Sequence, residues 1–351
     1  MKTSHRARLA LAALSSTAVL ITSCSSDDAP AESSVAATAP STTVPEVCEV
    51  TDILVPTCGA WLGASTPSAD GTFDYETGLQ EYEAVVGDPP DIQHFYKRGG
   101  AAFPTPAEIA LAERPGTARS ILFYNWKPSV DHTWREVADG AADDNIAAVA
   151  ASITAYPHHI FLAVQHEPED DAAAGGAGMS ASDFVEMYRY VVGRLRELGA
   201  DNIVFVMNYT GTPRWAPVVD SFYPGDDVVD WIAYDPYALA DHTTFSQMLN
   251  NPAEGWPGFY EWATAKAPGK PIMLAEFGFD VANRSEAAHD LPSAADVLRD
   301  EFPMIKALVY WNDSNDGRLQ VRIDQDDQLA AAYTVFARDP YFARVPTSLA
   351  P

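Results

Sequence analysis

The chain has 351 residues, 47% hydrophobic and 20% charged, with 22 Lys and Arg against 49 Asp and Glu, so the net charge is −27. That apolar content excludes a mostly disordered chain, and so acidic a surface repels phosphate backbones, which excludes nucleic acid as a partner. Three cysteines are too few for a disulfide scaffold and match no zinc-finger spacing.

The first element is an address rather than fold. Lys2, Arg6 and Arg8 precede an apolar run from Leu9 to Ile21, too short for a permanent membrane span and suited to a signal peptide over residues 1–23. Leu20 to Cys24 (LITSC) resembles the bacterial lipobox, which makes Cys24 the expected lipidation site and the membrane an expected partner through an N-terminal lipid anchor. The expected location is the outer face of a bacterial cell membrane. Residues 24–46 are rich in Ser, Thr, Ala and Pro and read as a tether, because they cannot bury enough surface to offset their ordering entropy. Cys48 and Cys58 follow in an oxidising compartment, and a disulfide between them is expected.

From residue 59 one theme repeats: a short apolar run, a polar junction, then an amphipathic stretch. The runs are 59–63 (GAWLG), 91–96 (DIQHFY), 120–126 (SILFYNW), 160–166 (IFLAVQH), 203–208 (IVFVMN), 229–234 (VDWIAY), 271–276 (PIMLAE) and 306–311 (KALVYW). They recur about every 35 residues, the length of a strand, a crossover helix and two loops. Continuous hydrophobicity marks strands covered on both faces, as in a parallel sheet. Helical faces read over 182–198, 143–155, 293–302 and 327–337. The predicted fold is an α/β class (β/α)8 TIM barrel over residues 47–351, with a doubly wound open sheet as the alternative.

In such a barrel the chemistry sits at the carboxyl ends of the strands. Those ends carry His94, Trp126, His166, Glu167, Asn208, Asp235, Tyr237, Glu276 and Trp311. Glu167 and Glu276 stand out because each directly ends an apolar run, where a carboxylate is costly unless paired, hydrogen-bonded or used. One such Glu reads as an ion pair or a cap; two, on strands four and seven, read as function.

These residues resemble the retaining clan of (β/α)8 glycoside hydrolases, and the local strings are similar to glycoside hydrolase family 26, the family of β-mannanases and related endo-glycanases. The matching strings, in the family's order, are GAWLG at 59–63, QHEPE at 165–169, YPGDDVVDWIAYDPY at 223–237, KPIMLAEFG at 270–278, YWN at 310–312 and RID at 322–324. The resemblance implies Glu167 as general acid/base and Glu276 as nucleophile. It also implies His166 orienting substrate or tuning the acid, Tyr237 bonding the nucleophile and Trp311 flooring a sugar subsite. His94, Trp126 and Asn208 join them as expected substrate contacts.

The sequence departs from the family around the acid. Typical mannanases place Arg-Pro before His-Glu and a tryptophan tract after it, whereas Ala163, Val164 and Gln165 precede here and an Ala- and Gly-rich stretch follows. A buried cation near the acid is therefore expected to be lost, and mannan specificity is weakened more than catalysis. The expected activity is an endo-acting retaining β-glycosidase, first on β-mannan. The alternatives are a β-glucanase, a β-1,3-xylanase or a non-catalytic glycan-binding lipoprotein. A monomer without metal or cofactor is expected. Gly176 to Ala181 fits a loose dinucleotide pattern, but it follows its strand only after a long loop.

Overall fold

The computed structural model describes residues 48–240, 242–313 and 319–343. The signal peptide, Cys24 and the tether lie outside the described residues. Residues Val47–Pro351 form one compact unit.

Eight parallel strands make the barrel: β1 Trp61–Ser65, β2 Ile92–Arg98, β3 Ile121–Lys127, β4 Ile160–Val164, β5 Ile203–Tyr209, β6 Trp231–Tyr234, β7 Ile272–Phe279 and β8 Ile305–Trp311. Each pairs with its sequence neighbours, and β1 also pairs with β8 from Trp61 opposite Ala307 to Ser65 opposite Trp311. That last ladder excludes the open sheet. The strands lie where the apolar runs predict them, with β7 reaching three residues further than its run. A short strand, Tyr237–Ala238, pairs with Gly278–Phe279 at the tip of β7.

Both strand faces are buried, which explains the continuous hydrophobicity. Trp61, Ile92, Phe123, Phe161, Val206, Trp231, Met273 and Val309 fill the barrel, while Leu62, Tyr124, Leu162, Met207, Ile232 and Leu308 pack outward in the helix-covered core. Gly63 is needed on the inner face of β1, because a Cβ there would meet the Ile92 Cβ at 2.6 Å. The helices Asp143–Thr154, Ala181–Glu197, Ala294–Glu301 and Asp327–Ala337 fall within a residue or so of the predicted faces. Ser180 starts the longest by accepting from the Asp183 N–H, with the Asp183 carboxylate accepting in return.

The amino-terminal end of the barrel is stoppered by residues 48–58. Cys48 and Cys58 form a disulfide, and Leu54 is fully buried under the inner core. The indoles of Trp61 and Trp231 donate to the carbonyls of Leu54 and Ile53, each at 2.7 Å. Sealing this end leaves the carboxyl-terminal mouth as the place where polar groups at strand ends converge.

Near the mouth the main structural tie is Arg322, whose side chain is 1% exposed. It donates to Pro67 O at 2.9 Å, Asn312 O at 3.2 Å, Glu81 Oε2 at 2.9 Å and Asp324 Oδ2 at 2.7 Å. One cation thus joins the loop after β1, the first helix (Tyr75–Val86), the end of β8 and the final segment. Removing it strands two carboxylates and two carbonyls. Arg322→Met is expected to cost about 1–3 kcal/mol, less than for a fully buried pair because Glu81 and Asp324 are part-exposed and can regain water. A urea unfolding midpoint that barely moves would contradict this.

Candidate active site

Glu276 reaches the mouth because β7 breaks its alternation. Along the β7–β8 ladder Leu274 pairs with Leu308 but Phe277 pairs with Tyr310, so β7 carries one extra residue. Leu274, Phe277 and Phe279 all face the outer core, and the bulge between them turns Glu276 inward instead of into the helix layer. Its two oxygens are then clamped: Tyr96 OH donates to Oε1 and Tyr237 OH to Oε2, both at 2.7 Å. The short strand at the tip of β7 holds Tyr237 in place. Burial pushes the Glu276 carboxyl above its ordinary range, and the two phenols, with Lys127 beyond them, pull it back down.

Glu167 is aimed by a different device. After β4 the chain places Gln165 and Glu167 in the left-handed region, at φ 57° and 50°, with His166 between them. Such φ values are uncommon outside glycine and need support from the surroundings. The backbone N–H groups of Gln165 and Glu167 donate to Trp126 O at 2.8 Å and Asn208 O at 3.1 Å, tying the turn to both neighbouring strands. The Gln165 side chain accepts from Ser129 Oγ at 2.9 Å and donates to Asp171 at 2.7 Å, and Lys127 donates to the same Asp171 oxygen at 2.7 Å. Pro168 then opens the helix Pro168–Ala174.

The Glu167 carboxyl is pushed up to about 8, first by burial and then by the negative charges of Glu276, Asp170 and Glu169, with Lys127 opposing. A cation near the acid is therefore present, supplied by the end of β3 rather than by the residues before His166. This corrects the expectation that it is lost. Asp235, at the end of β6, is 3% exposed and accepts from Asn208 Nδ2 at 3.0 Å. Burial and the two glutamates hold its carboxyl well above the ordinary range. Glu169, buried beside Thr210, is pushed up to about 7, mainly by burial.

One cavity of about 560 Å³ joins these groups. Glu167, Glu276, His166, Tyr237 and Trp311 all line it, together with Tyr96, Tyr75, Phe73, Pro67, Ser65 and Asp313. His166 is kept neutral, its proton affinity lowered well below the usual value by burial and then by Lys127, His94 and Arg98. Trp311 stands edge-on to Tyr237, ring centres 6.1 Å apart.

Three expected substrate contacts are not on the lining. Trp126 faces away from the mouth: it lies on the outward phase of β3, is fully buried against Phe103 and donates its Nε1–H to Gly99 O at 2.9 Å. His94 lies a layer below, stacked on Phe123 at 4.1 Å and against Tyr96 at 4.6 Å, and burial lowers its affinity for a proton to a pKa of about 3. Asn208 is likewise buried and positions Asp235. Sequence reasoning missed Tyr96 and Lys127. The signal for Tyr96 was available, since a strand residue two beyond the inward-facing His94 shares its face and sits nearer the mouth.

Among the described residues, Glu286, His289 and Asp290 bring metal-capable atoms within 4.8 Å of one another. They lie on the helix Arg284–Asp290 rather than on the cavity lining, and His289 already bonds Asp290 at 3.0 Å.

Endoglucanase H of Acetivibrio thermocellus is 24% identical over 286 residues, covering 78% of this chain and 29% of the relative. A β-1,3-xylanase of a Vibrio species is 30% identical over 170 residues, covering 48% and 33%. The chain thus spans about a third of the length of these curated relatives. Among solved structures, a modular endo-β-1,4-mannanase from Cellulomonas fimi superposes with a TM-score of 0.57 at 20% identity, covering 84% of this chain and 74% of that one. A ruminal endo-β-1,4-mannanase gives 0.57 at 18% identity, covering 84% and 65%. Both share the barrel fold. The family model for glycosyl hydrolase family 26 matches residues 146–267, the stretch that carries Glu167, Asn208 and Asp235.

Proposed function

We propose that the chain is a retaining endo-β-glycosidase that cleaves a neutral β-linked polysaccharide by double displacement. One observation carries the reading: two carboxyls, both raised by burial, face the same cavity, and Glu276 is held by two hydroxyl donors. Glu276 receives two phenolic hydrogen bonds, which favour its ionised form. Glu167 is raised to about 8 by burial and by neighbouring negative charge, which favours its acid form at neutral pH. Glycoside cleavage needs this division, a proton donor beside the leaving oxygen and an anion beneath the anomeric carbon.

In the first step Glu276 attacks the anomeric carbon while Glu167 protonates the departing oxygen. In the second, Glu167, now ionised, takes a proton from water, which displaces Glu276 from the sugar. Burial and the two glutamates disfavour a third negative charge on Asp235. Trp311 offers an aromatic face to a pyranose ring. β-Mannan is the first candidate substrate, after the mannanases that share the fold. The endoglucanase and β-1,3-xylanase named among the relatives make β-glucan and β-1,3-xylan the next to test. A reducing-end assay on soluble mannan, mixed-linkage glucan, β-1,3-glucan and xylans decides between them, and no release from any would favour a glycan-binding role.

Two inversions at one carbon restore its configuration, so proton NMR of early hydrolysis should show the β-anomer first. Glu276→Gln should lower turnover by several orders of magnitude. A first product of α configuration would exclude Glu276 as nucleophile.

The pH profile follows from the same groups. kcat/KM should fall on the alkaline side near pH 8, as Glu167 loses the proton it must donate. Lys127 favours ionised Glu167, so Lys127→Met should raise the proton affinity of the acid and move that limb to higher pH. Tyr96→Phe and Tyr237→Phe remove donors to Glu276 and should move the acid limb upward too. Limbs that stay fixed in all three variants would assign the profile to other groups.

We further propose that Cys24 carries a lipid that holds the domain at the membrane through the tether of residues 24–46. Cys24→Ser should shift the protein from the detergent phase to the aqueous phase of a detergent extraction. Equal partitioning of both forms would contradict the anchor.

A further inference from the structure

Phe73 is the most exposed large hydrophobic side chain among the described residues, 62% accessible, and it lies on the wall of the cavity that holds both glutamates. Its φ of 56° is an unfavourable conformation for a bulky residue. An apolar ring kept in water by an unfavourable backbone must be held there by its surroundings, and the loop after β1 shows how. Asp70 Oδ1 accepts from Ser68 Oγ at 2.7 Å, Thr72 N at 3.0 Å and Thr72 Oγ1 at 2.7 Å, and Ser68 Oγ accepts from Asp74 N at 3.2 Å. The loop is also fastened from outside. Glu81 accepts from Ala69 N at 2.9 Å, and Arg322 holds both Glu81 and the Pro67 carbonyl. The ring is therefore pre-positioned, so little ordering entropy remains to be lost when something stacks on it.

We propose that Phe73 is a sugar-stacking platform for a glycone unit beyond the one at Trp311, so that the ligand is an extended oligosaccharide chain rather than a short glycoside. The inference rests on the glycosidase reading. Its direction comes from strand order. The acid protonates the oxygen of the departing part, so that part lies toward Glu167 and β4. Around an eight-stranded barrel β4 stands opposite β8 and beside it β1, and Ser65 at the end of β1 pairs with Trp311 at the end of β8. The retained part of the chain thus runs toward Trp311 and then Phe73. A pyranose presents an axial C–H face that packs on an aromatic ring, while its hydroxyls stay in water.

The test compares Phe73→Ala and Phe73→Tyr with wild type on a length series of oligosaccharides from the best substrate. The ratio of kcat/KM for long chains to that for short aryl glycosides should fall about tenfold in Phe73→Ala, through KM, and return in Phe73→Tyr. A loss of equal size at every chain length, or none, would overturn the platform. Tryptophan-fluorescence titration with the same oligosaccharides reads binding without turnover. If wild type cleaves nothing, the glycosidase reading fails, and the platform still stands or falls on whether Phe73→Ala weakens long-chain binding more than short.

Discussion

Closure of the parallel sheet is the constraint from which the rest follows. A parallel strand with an open edge leaves a row of unpaired backbone donors and acceptors, and the ladder between Trp61–Ser65 and Ala307–Trp311 removes both edges at once. Once the ring is closed, every strand delivers its carboxyl end to the same mouth. The other end is stoppered by the disulfide-bonded stretch with Leu54 and by two indole hydrogen bonds. Residues far apart in sequence, such as Tyr96, Glu167, Tyr237, Glu276 and Trp311, then line one cavity.

Within that mouth, electrostatics has more influence than any single contact. Glu167, Glu169, Asp235 and Glu276 are all driven toward their neutral forms by burial, and negative charge on one disfavours it on the others. A uniformly protonated site would have no nucleophile. Tyr96 and Tyr237 break the symmetry by donating to Glu276, which gives that carboxyl the first claim on negative charge. Lys127 lowers both glutamates and so keeps the pair within reach of neutral pH, while its bond to Asp171 fixes the turn that presents Glu167. Proton affinity and position are thus set by the same side chain.

The rim is built differently from the floor. The floor is buried, with His94 stacked on Phe123 and Asn208 hydrogen-bonded to Asp235. The rim after β1 is fixed by hydrogen bonds around Asp70 and by the buried Arg322, which leaves a phenyl ring facing solvent without letting it collapse onto the core. Arg322 therefore serves both stability and the shape of the cleft.

The alternation of apolar runs and amphipathic stretches was enough to predict the eight strands, their parallel order and four of the helices, because a strand buried on both faces has to be apolar throughout. Glu167, Glu276, Tyr237, His166 and Trp311 were legible for a related reason: each stands at or just beyond the end of an apolar run, where a (β/α)8 barrel opens. What the sequence could not show was phase. Period-two alternation puts Trp126 outward, and its place at the end of a run concealed that. The extra residue between Leu274 and Phe277 reverses the phase of β7, and only the ladder to β8 reveals it. The second phenol on Glu276 comes from β2, where alternation from His94 could have marked it, and the cation near Glu167 comes from β3, at a position no local motif marks. Chemical identity is written along the chain, but which groups share a charge depends on register across strands, and register is decided by the closed sheet.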